Sequence, residues 1–456
     1  MKKRKKNEKA VGAGRMLAWQ SRAVSQGCVL MTVGYLTIYC TDTLKMPAAL
    51  VGTLLVISKL LDGATDIVAG YIVDRTNTKW GKGRPYELCI IGMWLSTWFM
   101  FSCRPSFSLV AKSAWVLCAY VLVNSVFYTF LNANATVYMV RAFKYEEQYV
   151  AVNTYGNFIS VVGILVFNIM FPMAVAKYAV TAAGWSKLIA VIGCPMMIIG
   201  MMRFLFIKET VNVDRNVETN EKEKVNLTDV KRILTRNPFI YMVALTLFVM
   251  NFVSSMGVGT YYFKYIVGDL SKFGVVTAVQ AISIPMLFVY PIIIKKLSTA
   301  KLIFIGCLFS VAGGIINFIA MGNMALLGIG ALCTGIGSAP ISMVSMLLIV
   351  ECADYNEWKG LQRMEGTLGS VTGFASKVGA ALGSGALGIL LTLSGYVGDA
   401  ENIPDTAIMM LRSLNGLIPA ALWVLVAAGM WVYLRLDKLM PEIKRSLAEN
   451  HEAAHQ

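Results

Sequence analysis

Apolar runs of roughly 20 residues, each closed by a short polar or basic stretch, recur along the whole chain. A run of that length crosses the hydrocarbon core of a bilayer as a helix, because a helix satisfies its backbone hydrogen bonds within itself. The pattern predicts twelve such helices, at about 24–44, 48–73, 86–104, 113–138, 151–176, 184–206, 238–262, 273–294, 301–320, 324–350, 367–396 and 410–435. Spans 48–73 and 367–396 are interrupted by polar residues and read weakly on hydropathy alone. The longest polar stretch, Lys208 to Arg236, carries both charge signs and parts the first six spans from the last six. The predicted fold class is an all-α membrane protein with twelve transmembrane helices in two six-helix bundles. Its expected parts are a basic tail at 1–23, a bundle at 24–206, a linker at 207–237, a second bundle at 238–436 and a tail at 437–456.

Composition agrees with the pattern. Hydrophobic residues make up 57% of the 456 and charged ones only 15%, against about 25% charged in an ordinary soluble protein. The 39 Gly and 26 Met suit close-packed membrane helices, where small residues let backbones approach. The net charge of +15 sits in clusters between apolar runs and not along a groove, which excludes a nucleic-acid partner. Thirty-one of the 41 Lys and Arg fall in the two tails and alternate loops, and eight fall on the opposite side. The positive-inside rule then puts both termini in the cytoplasm, with the chain integral to a plasma (bacterial inner) membrane. The start, MKKRKKNEKAVGAGR, is basic, but no short apolar stretch with a cleavage site follows, so no cleaved signal is expected. The nine Cys show no CxxC spacing and read as small buried hydrophobes.

Charges inside the spans are expensive, at about 2.5–3.5 kcal/mol near the bilayer centre, and face a cavity or a partner. The second span carries Lys59, Asp62 and Asp66, which share one helix face at spacings of three and four. With the Thr65 hydroxyl, the two carboxylates make a set of hard oxygens for a small cation (a metal site at Asp62 and Asp66 if the ion is sodium) or a proton relay. The competing reading is a Lys59–Asp62 pair that fixes packing. Lys377, among small residues in FASKVGAALG, either neutralises a carboxylate as a charge partner or snorkels to the surface. Gln26, Asn132, Asn134, Asn153 and Asn157 are amides, which suit neutral hydroxylated ligands or join helices. The loops DRTNTKWGKGRP and DYNEWKGLQRMEG supply Asp74, Arg75, Arg84, Asp354, Glu357, Arg363 and Glu365, which could form gating salt bridges or serve topology alone.

The run DGATDIVAGYIVDRTNTKWGKGRP, the DYNEWKGLQRMEG loop, the Thr41-Asp42 pair and SKVGAALG together resemble the glycoside–pentoside–hexuronide:cation symporters, the melibiose permease-like branch of the major facilitator superfamily. The resemblance spans both halves, from about Gln20 to Tyr433. It implies the major facilitator fold with its substrate site near the bilayer midplane, and sugar uptake coupled to sodium or protons. It carries the family's cation-site carboxylates onto Asp62 and Asp66, a threonine ligand onto Thr129 and the lysine of the eleventh helix onto Lys377. Thr65 stands where the sodium-coupled galactoside carrier has an asparagine. At that carrier's sugar site two aspartates, an arginine and a stacking tryptophan fall on Gln26, Asn132, Asn157 and Thr136. These substitutions imply a different sugar, and the absence of a fixed positive charge at the aligned positions points to a neutral one.

Other classes fit less well. The only His residues are His451 and His455, and no nucleophile elbow, phosphate loop or HExxH helix occurs, so an enzyme is not expected. A transporter-like membrane sugar sensor is the alternative. No cofactor is expected beyond the coupling ion, and no partner beyond a small sugar and membrane lipid.

Overall fold

The structure, a computed structural model, describes residues 11–76, 78–145, 148, 151–152, 156–210, 235–286, 289, 293, 297–361, 365–398 and 403–454. It is helical throughout, with no β-strand among the described residues. The chain forms two compact units. One is Met1–Glu218 with Asp269–Val275 and Gly388–Ile403, and the other is Thr219–Gly268 with Val276–Leu387 and Pro404–Gln456.

The N-terminal half contributes α1 (Ala13–Val33), α2 (Ala48–Arg75), α3 (Cys89–Met100), α4 (Leu109–Val121), α5 (Thr129–Ala142), α6 (Asn157–Tyr178) and α7 (Ala182–Phe206). A π-helical turn, Leu122–Tyr128, joins α4 to α5 as one span, and a second one, Tyr39–Thr43, ends the first span. The C-terminal half contributes α8 (Phe239–Ser255), α9 (Gly259–Tyr265), α10 (Ser271–Gln280), α11 (Thr299–Ile319), α12 (Met324–Trp358), α13 (Glu365–Leu393), α14 (Asp405–Arg412) and α15 (Ile418–Ala454).

Among the described residues, nine stretches are long and apolar enough to cross a membrane. The second, third and eighth expected spans are the ones outside this set. The helix α2 runs for 28 residues, but only Ala48–Lys59 is apolar, because the charged face follows. The helix α3 has 12 residues. The eighth span lies partly outside the described residues. In α6 and α7 only 28% of the apolar window is buried inside the protein, so these helices turn most of their side chains to lipid.

Both tail boundaries need correction. Residues 13–23, expected in the basic tail, form the first turns of α1. Trp19 is buried there against Tyr138 and Phe143, with ring centroids 5.4 and 4.9 Å away. The helix α15 continues past 436, and Met440, Ile443 and Leu447 complete the core of the second unit. In both places the basic residues mask an apolar face of helical period, which buries like any other.

Candidate functional site

The cation-site candidates lie on α2, which packs along α4, α5 and the π-helical turn between them. Asp62 is half-buried and accepts a hydrogen bond from the Ser125 hydroxyl on that turn. A π-helical turn widens the helix by one residue and re-aims the side chains that follow it. Thr65 Oγ1 donates back to the carbonyls of Leu61 and Asp62 at 3.3 and 3.1 Å. Its lone pairs stay available, since a hydroxyl has one proton and two acceptor sites. Buried Thr129 donates to the Asn124 carbonyl at 3.2 Å. Lys59 lies within electrostatic reach of Asp62, as does the buried Tyr120. The Asp66 side chain lies outside the described residues, so the second carboxylate of the expected pair is not placed. Among the described residues no cluster of three or more His, Cys, Asp or Glu forms. Among the described residues the oxygens brought together are those of Asp62 and Ser125, and Ser125 was not among the candidates read from the sequence.

The sugar-site candidates divide. Gln26 Nε2 donates to Asn132 Oδ1 at 3.1 Å, joining two of the expected positions directly. Gln26 is buried and Asn132 is exposed. Asn157 is exposed in the first turn of α6. The side chain of Thr136 and all of Asn153 lie outside the described residues. Asn134, one of the amides read from the sequence, is fully buried and donates to Glu87 Oε1 at 3.1 Å, so its role is to satisfy that carboxylate.

Behind Gln26 lies a buried ionic cluster that sequence reading missed. Glu87, in the 3₁₀ turn Arg84–Leu88, is 0% exposed. Its Oε2 lies 3.6 Å from Arg22 Nε and 3.7 Å from Arg203 Nε. The Arg203 guanidinium stacks over the Trp19 ring at 3.3 Å. Arg22 donates to Gln26 Oε1. The aligned sugar positions are themselves uncharged, yet a guanidinium stands one hydrogen bond behind them. Arg22 and Arg203 lie at span ends beside basic loops, where positive-inside topology explained them already. Only the fold brings α1, α7 and Glu87 together.

Of the loop residues, Arg84 Nε donates to the Phe204 carbonyl at 2.9 Å and Arg75 stacks over Tyr71 at 4.2 Å. The ionic tie of that loop comes from Glu209, absent from the sequence candidates. Its carboxylate accepts from the backbone N–H of Lys82, Gly83 and Arg84 at 3.0, 2.8 and 2.7 Å, and lies 4.0 Å from Arg141 Nε. Asp354 is buried and Glu357 half-buried near the end of α12. The Asp74 and Glu365 side chains and all of Arg363 lie outside the described residues. Lys377 is exposed on α13.

The second unit holds a partly open pocket of about 330 Å³ whose wall includes Gln280, Asn317, Thr334, Ser338, Asn415 and Trp423. Among the described residues no charged side chain lines it.

Residues 25–438 match the family described as MFS/sugar transport protein. Among curated relatives, the isoprimeverose transporter of Lactiplantibacillus pentosus is 24% identical over 91% of this chain and 87% of its own length. The glucuronide carrier protein homolog of Escherichia coli (strain K12) is 24% identical over 90% and 89%. Among solved structures, a bacterial homolog of the human lysosomal transporter Spinster superposes with a TM-score of 0.67 at 14% identity, covering 94% of this chain and 98% of that one. A D-xylose-proton symporter superposes with a TM-score of 0.64 at 13% identity, over 91% and 96%. These superpositions show the major facilitator fold, and the family match over most of the chain does the rest: this integral membrane protein belongs to the glycoside–pentoside–hexuronide symporters of the MFS/sugar transport family, and is a transporter, not an enzyme.

Proposed function

We propose that this protein imports a small, uncharged sugar or glycoside by symport with sodium or a proton, by alternating access across a bacterial inner membrane, with both termini in the cytoplasm. The observation that carries the reading is Asp62, a carboxylate inside a membrane helix held by the Ser125 hydroxyl. A charge so placed costs free energy unless it serves an ion pathway or a partner. The ion binds at Asp62 and Asp66, with Thr65 and Thr129 as neighbouring oxygens. Lys59 is the cation that balances these carboxylates when the ion leaves, and Lys377 is assigned a coupling role. The sugar binds at Gln26, Asn132, Thr136 and Asn157, whose uncharged donors and acceptors match hydroxyl groups. Coupling is reciprocal, so each ligand binds more tightly when the other is present. The charged loop residues Asp74, Arg75, Arg84, Asp354, Glu357, Arg363 and Glu365 are assigned to gating, forming ion pairs in one access state and parting in the other.

Relatives named for isoprimeverose, raffinose and a glucuronide carrier homolog define the panel to screen. Uptake into right-side-out vesicles, with sodium and pH gradients imposed separately, tests the reading. Accumulation of a neutral glycoside under one gradient identifies the ion, and Asp66→Asn is expected to abolish that accumulation. Preference for a uronide over every neutral sugar overturns the assignment of charge. Full accumulation by Asp66→Asn overturns the ion site. No uptake by the folded protein moves it to a sensing role.

A further inference from the structure

We infer that the buried Arg22–Glu87 pair fixes the polarity of the amides at the sugar site, so that Asn132 presents N–H donors and selects a substrate group that accepts hydrogen bonds. The inference rests on the reading of Gln26 and Asn132 as sugar-site residues.

The argument follows from which groups can donate. A carboxylate only accepts and a guanidinium only donates, whereas an amide has one end of each kind. Glu87 is fully buried beside Arg22 and Arg203, and Asn134 turns its Nδ2 toward it at 3.1 Å. Arg22 is 6% exposed and directs a guanidinium N–H at Gln26. Only the Oε1 end of Gln26 can receive it, so the amide cannot turn over without setting N–H against N–H. Its Nε2 must then face Asn132 and find an acceptor there, which is Oδ1, at 3.1 Å. That consumes the acceptor end of Asn132. The Nδ2 group has no protein partner among the described residues, and Asn132 is exposed. The polarity thus runs one way from a buried carboxylate to an exposed donor. An isolated Asn at this place would turn to suit either a donor or an acceptor, and would discriminate between them poorly. Arg22 and Glu87 are therefore positioning residues, acting on the sugar through two amides.

The test uses purified protein in lipid vesicles and measures KM and kcat for three probes, the methyl α-glycosides of D-xylose, D-glucose and D-galactose. Each is compared with its deoxy and deoxyfluoro analogues, since fluorine accepts weakly and cannot donate. At one ring position the fluoro analogue is expected to stay within about threefold of the parent KM. The deoxy analogue should lose about tenfold, the range of one hydrogen bond. Gln26→Glu places acceptors on both sides of the pair, so Asn132 turns its Nδ2 inward and shows Oδ1 to the sugar. In that variant the KM of the fluoro analogue, taken relative to the parent sugar in the same variant, should rise to the level of the deoxy one. Arg22→Met should erase the difference as well, and if that variant does not fold, Gln26→Glu carries the test alone. A tenfold KM effect of Asn132→Ala, together with an unchanged fluoro preference in Gln26→Glu, overturns the inference and leaves the site reading intact. No effect of Asn132→Ala on any probe, or no transport of any probe by the wild type, overturns the site reading and the inference with it.

Discussion

At the scale of single residues, the cluster of Arg22, Glu87 and Arg203 is the most demanding feature of the first unit. Three ionised groups share a fully buried space, and Arg22 Nε, Glu87 Oε2 and Arg203 Nε are buried without a hydrogen bond at those atoms. Stripping charges of water is repaid only by close opposite charge, and removing one partner of a buried pair costs about 3–5 kcal/mol. Glu87→Leu should therefore be the most destabilising change here, since it leaves two guanidinium groups facing each other. Thermal melting in detergent should show a fall well beyond that of Ser125→Ala. The latter removes one hydrogen bond from Asp62, worth about 1.5–3 kcal/mol for a charged acceptor. Ser125→Ala should instead alter the ion concentration at half-maximal uptake. Asp62 was legible in the sequence because a carboxylate interrupts an apolar run. Its hydroxyl partner was not, because a serine in a membrane helix has many uses and only packing selects one.

At the scale of elements, close helix approach and helix irregularity decide geometry. A Cβ added at Gly306 would meet the Gly337 carbonyl at 2.6 Å, and one at Gly313 would meet that of Gly330 at 2.7 Å. The helices α11 and α12 thus touch backbone to backbone along a stripe of small residues. Gly337→Leu should push them apart and lower the yield of folded protein, read by size-exclusion profile, whereas a leucine at the open Gly373 should be tolerated. Near the end of α12, Glu351 accepts from the Tyr433 hydroxyl at 3.1 Å. Burial holds its carboxyl above the ordinary carboxylate value, with the Tyr433 hydrogen bond opposing. Folding therefore disfavours the charged form relative to the unfolded chain. The contribution of Glu351 to stability is present below the ordinary carboxylate value and lost as pH rises through the raised one. Glu351→Gln should flatten that part of the melting profile between acid and neutral pH.

At the scale of the whole molecule, topology and transport are linked. The proposed topology, with both termini cytoplasmic, is tested by reporter fusions: those after residue 456 and within 211–234 should report the inside, and those after Arg104 the outside. The opposite pattern would reverse the direction of import and with it the side from which the ion enters. In vesicles, one ion gradient should drive accumulation of the sugar, and adding the sugar should tighten ion binding by the same factor as the ion tightens sugar binding.

That the chain lives in a bilayer and that its spans fall into two sets of six is legible in the amino-acid pattern. These follow from transfer free energy and helical period, which act locally and are written into every window of the chain. Tertiary structure alone decided that residues 13–23 belong to α1, that Ser125 meets Asp62, that Glu209 ties down the loop at Lys82 to Arg84, and that Arg22, Glu87 and Arg203 share one buried space. The reason is that a hydrogen bond or ion pair depends on the meeting of groups far apart in the chain. Neither partner carries a mark of the other until the helices pack.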